Sequence, residues 1–315
     1  MSGFLSVNII QTALEIGLIY ALVALSLFIS FSILDICDLS TDGCYTLGCA
    51  VGAMVTIAGH PVLALVAAVF AGVCSGFVTA FLQTRLKVPS ILAGIIVNTG
   101  LYTINLAVMG FSSNLSLFGK KTGYMLFRTL SDSEIWRTWH KLIFMILLIT
   151  AVIVFIRWFM GTHMGLAIRA TGDCPSMIKA SSVNPVVTIT VGLCIANGLT
   201  GLAGGLIGQY NKSADINLGT GMVTIALASL IIGETISRKK NMLPRIVCVV
   251  IGSVLYRFII SIALSLNVPT EAFKLVSAII VAVAIAAPQI KGFLSYQKKK
   301  RDAIQFRKNQ IKGEN

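Results

Sequence analysis

The sequence predicts an all-α, polytopic membrane protein of about nine spans, within a range of about eight to ten, and three observations carry that prediction. Charged residues make up 12% of the chain and hydrophobic ones 56%, whereas a soluble domain carries roughly 25% charged residues. The apolar residues gather into runs of about 20, the length at which a helix crosses a bilayer. Lysine and arginine fall at the edges of those runs, with a bias toward alternate edges.

The runs give spans at 9–34, 43–59, 61–82, 90–109, 141–160, 185–210, 219–236, 244–265 and 272–290. Met1 to Asn8 has no lysine or arginine, and the run from Ile9 to Leu34 is too long for the apolar region of a cleavable leader. It is therefore read as the first span. The second is short and glycine-rich, and its division from the first is the least distinct. The segment Gly110 to His140 is a long outer loop carrying Phe118, Tyr124, Phe127, Trp136 and Trp139. Its composition suits an interfacial segment anchored by aromatic rings, or a docking surface for an external partner. One transmembrane domain covers 1–290, with the long inner loop 161–184 inside it, and a basic tail covers 291–315.

With the C-terminus inside, 17 of the 25 lysines and arginines lie on the cytoplasmic side. They include Arg85, Lys87, Arg157, Arg169 and Lys179, the group Arg238, Lys239, Lys240 and Arg245, and eight in the tail. The N-terminus is then outside. This distribution explains the net charge of +13 as membrane-edge charge and excludes nucleic acid as a partner. The tail run Lys298-Lys299-Lys300-Arg301 suits contact with anionic lipid. The seven cysteines form no Cys-x-x-Cys pair and have no companion histidines. They are read as small helix residues, and no metal site or disulfide framework is expected.

Four features bear on mechanism. In the inner loop, Asp173 suits the N-cap of a short helix running to Ser181, with Pro175 in its first turn. Asn184 then caps the next span, with Pro185 at its first position. A stand-alone helix so short is marginal in water and calls for a protein partner. Next, Asp35, Asp38 and Asp42 stand where the first span ends and the second begins, and carboxylates there must face water or partners. They suit either a cavity at a broken helix or simple helix capping by Ser40, Thr41 and Asp42. The stretch Asp215-Ile-Asn-Leu-Gly-Thr-Gly echoes Asp38-Leu-Ser-Thr-Asp-Gly, as an internal repeat would. Third, Gly201, Gly204, Gly205 and Gly208 lie four apart in pairs, allowing close helix packing in lipid. Fourth, Asn98, Asn105 and Asn197 are polar residues inside spans. Asn98 and Tyr102 share a helix face and, with Asp38, Asp42 and Tyr45, are the candidates for a translocation path. Glu234 has Arg238 four residues on, a favourable helical pair. Arg257 lies within a span, where it must snorkel or pair internally.

Several of these stretches resemble one family. They are Gly17-Leu-Ile-Tyr-Ala-Leu-Val-Ala-Leu, the Asp38–Gly48 segment, Leu92 to Gly110, Gly165-Leu-Ala-Ile-Arg-Ala-Thr-Gly-Asp and Leu227-Ala-Ser-Leu-Ile-Ile-Gly-Glu. Together, over about residues 10 to 290, they are similar to the permeases of branched-chain amino acid and ribose ABC importers. They most resemble the branch that serves tryptophan and tyrosine uptake. The resemblance implies a type II-like importer permease acting as a homodimer in a bacterial inner membrane. An external binding protein would deliver the solute, aromatic amino acids first and branched-chain ones second. A separate ATPase would dock on a coupling segment formed by Asp173, Cys174, Pro175, Ser176, Met177, Ile178, Lys179, Ala180 and Ser181. The sequence itself has no Gly-x-x-x-x-Gly-Lys-Ser/Thr phosphate loop. ATP and magnesium therefore belong on the partner ATPase, and this chain is expected to hold no cofactor and no catalytic residue. Two alternatives stand beside this reading. One is an ion-coupled secondary transporter. The other is a magnesium-dependent, prenyltransferase-like intramembrane enzyme using Asp35, Asp38 and Asp42.

Overall fold

A computed structural model describes residues 7–129, 134–174, 183–237 and 241–265, with single positions between 275 and 286. Most of the expected ninth span, the tail, Pro175 to Ser181 of the coupling segment, and Arg238 to Lys240 lie outside the described residues.

The first apolar run forms α1, Val7–Leu27, which passes into a π-helical turn, Phe28–Ile33. It is followed by α2 (Thr41–Ile57), α3 (Pro61–Thr84) and α4 (Ser90–Val108). A three-residue strand β1, Asn114–Ser116, and a short helix α5, Gly123–Arg128, make up the outer loop. Then come α6 (Glu134–Met160), α7 (His163–Asp173), α8 (Pro185–Asn211), β2 (Ser213–Asp215), α9 (Met222–Ile236) and α10 (Met242–Ser265). The architecture is a polytopic helical bundle. Six described helices are long and apolar enough to cross a membrane: α1 with its π turn, α3, α4, α6, α8 and α10.

Two elements are too short for a full crossing. At about 1.5 Å per residue, the 17 residues of α2 reach about 25 Å and the 15 of α9 about 22 Å, against a hydrocarbon core of about 30 Å. Their neighbours fix their depth. Gly48 and Gly52 of α2 face Gly201 and Gly205 of α8, so these two helices run parallel and α2 starts well inside the start of α8. Asp42 in the first turn of α2 bonds the first residues of α9, so the two short helices begin at one level. From there α9 runs toward the end of the bundle where Glu234 meets Arg245.

The packing rests on missing side chains. A Cβ at Gly48 would collide with the Gly201 backbone, one at Gly201 with the Ala68 carbonyl, and one at Gly204 with the Tyr45 carbonyl. At Gly205 it would come within 2.8 Å of the Ala68 Cβ, and at Gly208 within 2.8 Å of the Cys49 Sγ. The four α8 glycines thus seat α2 and α3 within a single chain, where apolar burial gains nothing over lipid and close contact must supply the cohesion. Helix α1 occupies the centre, with Ile19, Leu22, Leu25 and Phe28 fully buried against α6, α8, α9 and α10.

Several expectations need correction. Asp173 stands at the end of a helix, and the short helix expected to follow it lies outside the described residues. The loop sequence from His163 is itself helical, with Thr162 accepting from the Gly165 N–H at its start, so Asp173 closes α7 and Cys174 is its C-cap. Asn184 does cap α8, accepting from the Val186 N–H at 2.9 Å, with Pro185 in the first turn. The outer loop packs on the bundle. Strand β1 pairs antiparallel with β2, and Gly123 N–H donates to Gln209 Oε1 at 2.9 Å. Tyr124 is buried edge-on against Phe144, and the Phe127 ring lies tilted against both Phe144 and Trp136, while Phe118 is exposed. Helix α6 starts seven residues before the expected span, because its first turns are polar and aromatic. No two of the seven cysteines are joined by a disulfide, but Cys37 lies in a loop and Cys174 at a helix end.

Substituting Gly204 by leucine forces a side chain into the Tyr45 backbone, and a loss of about 3 kcal/mol is expected from overpacking of this kind. Gly100, which has open space around its Cα, tolerates alanine with no loss. Thermal unfolding of the two purified variants in detergent checks the contrast.

Candidate functional site

The shared level of α2 and α9 is where the chain opens a cavity. Between α1 and α2 the backbone leaves helical form at Leu34 and turns back, with Asp35 in the left-handed region at φ 56°. Backbone groups released at membrane depth must find partners within the protein. Asp38 provides them. Its Oδ1 accepts from the Ser40 N–H at 2.8 Å and the Ser40 hydroxyl at 2.6 Å, and its Oδ2 accepts from Asn197 Nδ2 at 2.7 Å. The same local turn recurs before α9, where Asp215 Oδ1 accepts from the Asn217 N–H at 2.7 Å. The echo between the two sequences is thus an echo in geometry.

Asp42 joins the two short helices. Its Oδ2 accepts from the Gly221 N–H at 2.9 Å and its Oδ1 from the Val223 N–H at 2.8 Å. These are unpaired donors at the N-terminus of α9, whose partial positive charge also favours a carboxylate. Gly219 lies against the Asp42 backbone, and its N–H donates to Thr46 Oγ1 at 3.1 Å. Gly221 takes φ 86°, a conformation open to a residue without Cβ.

Beside this junction lies a cavity of about 270 Å³, near the lower end of the roughly 300–1,000 Å³ range of small-molecule sites. Asp42 and Thr46 border it from α2. The turn from Ile216 to Thr220 borders it from the approach to α9, and α4 contributes Asn98, Thr99, Tyr102 and Asn105. Those four α4 residues fall on one helical face. Asn105 is fully buried, and its Nδ2 donates to the Gly43 carbonyl at 3.1 Å. Its Oδ1 has no hydrogen-bond partner. Tyr102 is 51% exposed and leaves the cavity open on the α4 side.

Of the residues expected on a path, Asp42, Asn98 and Tyr102 come together here. Asp38 and Tyr45 do not. Asp38 is 2% exposed and spends both oxygens on the turn and on Asn197, while Tyr45 is buried in the core against α8. Thr46, Thr99, Asn105 and the 216–220 turn were missed as cavity residues. Asn105 could have been found, since it lies seven residues after Asn98 and so on the same face. The turn could not, because only tertiary packing brings it to α4.

The carboxylates of Asp35, Asp38 and Asp42 do not form a magnesium cluster. Asp35 is exposed, and the other two hold separate hydrogen-bonded positions. Among the described residues, no group of three or more His, Cys, Asp or Glu is placed to hold a metal ion. Glu234 pairs with Arg245 of α10 at 2.8 Å, and Ser32 donates to the same Glu234 oxygen, while the expected partner Arg238 lies outside the described residues. Arg257 lies over the Tyr20 ring, 5.6 Å from its centroid, as an internal contact.

A multi-pass helical bundle with two discontinuous helices meeting at a polar cavity defines a membrane transport protein. The chain belongs to the family of branched-chain amino acid transport system permease components, whose family pattern matches residues 9–285. Membership makes it a transport subunit rather than an enzyme. It is 33% identical over 304 residues to a tyrosine transport system permease protein of Clostridioides difficile, covering 96% of each chain. It is 32% identical over 284 residues to an uncharacterised protein of Rickettsia prowazekii, covering 89% of this chain and 98% of that one. No solved structure matches it.

Replacing Asp42 by alanine should destabilise the protein by about 2 kcal/mol, since it strands two N–H donors that now share a charged acceptor. Asparagine, which keeps one acceptor oxygen, should cost about half as much. Thermal unfolding of both variants in detergent checks the order, and equal stability of all three proteins would rule out the capping role.

Proposed function

We propose that two copies of this chain form the membrane path of an ATP-driven importer for an amino acid, aromatic amino acids first. The observation that carries the proposal is the cavity where α2 and α9 begin. Discontinuous helices expose helix termini and free carbonyls at mid-depth, and such ends suit the ammonium and carboxylate of an amino acid. The unpartnered Asn105 Oδ1 is an acceptor for the ammonium. The half-exposed ring of Tyr102 offers a stacking surface, and such ring pairs contribute about 0.5–1.5 kcal/mol beyond their burial. That preference favours an aromatic over an aliphatic side chain, and the Clostridioides difficile relative bears the name of a tyrosine system. The open wall at α4 supports a homodimer, in which the second copy closes the path.

The remaining parts of the importer follow the same reading. The N-terminus lies outside the bacterial inner membrane and the C-terminus inside, as the lysine and arginine distribution favours. ATP and magnesium bind a partner ATPase that docks on residues 173–181, and an extracytoplasmic binding protein supplies the solute. ATP-driven closure of the ATPase moves α7 and α8 through that segment. The path then opens alternately to either side around Asp42.

Reconstitution tests this directly. Proteoliposomes holding the chain with its neighbouring ATPase and binding protein should take up tyrosine or tryptophan only when ATP and all three proteins are present. Asn98→Ala with Tyr102→Ala should lower uptake at least about tenfold, the effect of about 1.4 kcal/mol, while the ATPase still co-purifies. Uptake by this chain alone on an ion gradient would instead establish a secondary transporter.

A further inference from the structure

At the end of the bundle that the basic residues mark as cytoplasmic, α6, α7 and α10 leave a second recess, remote from the cavity above. It consists of two adjoining hollows of about 590 and 620 Å³, and Arg157, Arg169 and Met242 border both. Val154, Trp158 and Met160 form one wall along α6, and Asn241, Leu243 and Pro244 form the other at the start of α10.

Two features of this recess are unexplained by packing. The first is its charge. Among the described residues the one ion pair joins Glu234 and Arg245, so no described acid neutralises Arg157 or Arg169. Asp173, one turn after Arg169 on α7, makes no ion pair with it. In sequence, the stretches 175–182 and 238–240 carry Lys179, Arg238, Lys239 and Lys240 and no acid. The second is its depth. Val154 lies six residues inside the end of the span Thr138–Met160 and is 60% exposed, and Trp158 above it is 67% exposed. The recess therefore begins at the level of the arginines and continues into the hydrocarbon region along α6. A water-soluble partner has no access to that lower wall. A molecule with an anionic head and apolar tails fits both levels.

We infer that this recess is a binding site for an anionic phospholipid. Its phosphate sits between Arg157 and Arg169, where guanidinium donors match phosphate oxygens. Its acyl chains lie along Val154 and Trp158, with the indole at the headgroup boundary. Basic pockets between spans on the cytoplasmic side attract anionic headgroups in this way. The site is proposed on residues other than the tail run Lys298–Arg301, and it does not depend on which solute is carried.

The full-length chain, delipidated in neutral detergent, is titrated with phosphatidylglycerol, with phosphatidylcholine of the same acyl chains, and with inorganic phosphate. Native mass spectrometry counts bound lipid and thermal unfolding reads stabilisation. One phosphatidylglycerol per chain should bind at concentrations where phosphatidylcholine does not. Binding should weaken at least tenfold in the double variant Arg157→Gln, Arg169→Gln, and survive in a tail variant with residues 298–301 all changed to glutamine. If the double variant fails to fold, Arg157→Gln alone is read, since Arg157 is exposed and its loss leaves the core intact. Unchanged affinity in these variants, or equal binding of phosphatidylcholine, would overturn the site. Equal stabilisation by inorganic phosphate would reassign it to a free anion. Displacement of the lipid on adding the ATPase would give the recess to that partner, whereas retention supports the lipid.

Discussion

The close seating of α2 and α3 on α8 is the contact on which the rest of the fold depends. In lipid, apolar side chains gain little by leaving one hydrocarbon environment for another, so helices cohere by approach and by polar contacts. The α8 glycines let the backbones of both neighbours come near enough to touch carbonyl oxygens. That approach leaves room for a helix that does not span. Helix α2 is held along its length by α8 and α3, and needs no lipid-facing surface of its own, as its almost wholly buried sequence records.

Once a non-spanning helix is accommodated, its open end becomes the problem the remaining polar residues solve. The backbone between Leu34 and Thr41 and that between Lys212 and Met222 leave regular helix inside the protein. Asp38 with Asn197 closes the first break, and Asp42 with Thr46 closes the second. The cavity is what remains when both breaks are satisfied. Its walls are polar because the residues bonding the turns are polar, and α4 adds one further polar face. Structure and site thus share residues, and Asp42 belongs to both.

Much of this was legible in the sequence, and the limits have physical causes. The long spans were clear, because twenty apolar residues in lipid have one regular solution. Asn98, Tyr102 and Asp42 stood out because polar groups in apolar runs demand partners. Asp38 and Tyr45 stood out for the same reason but do not line the cavity. A demand for a partner is visible in one dimension, but whether the partner is another residue or a solute is decided by packing. Tyr45 found the core. The α7 helix was read as loop because its Gly165-Leu-Ala-Ile-Arg-Ala-Thr-Gly-Asp run is weakly apolar and carries two glycines, and its contacts with Met160 and Ile33 hold it in place. The β1–β2 pairing joins residues a hundred positions apart, beyond the reach of local pattern.

The separation of α2 from its principal partner has a consequence for how the protein is made. Gly48 and the Gly201 it rests on are 153 positions apart in the chain. A ribosome adding about 5–20 residues per second completes α2 well before α8 has left the exit tunnel. During that interval α2 lacks the surface that excuses its shortness, Asp38 before it lacks Asn197, and Asp42 in its first turn lacks the start of α9. It is a poor candidate for independent insertion, since it falls short of the hydrocarbon thickness. The early product is then α1 and α3 in the bilayer with α2 waiting at the interface or in the translocation machinery. Arrival of α8 draws α2 in, and the cavity beside Asp42 is among the last parts of the molecule to exist.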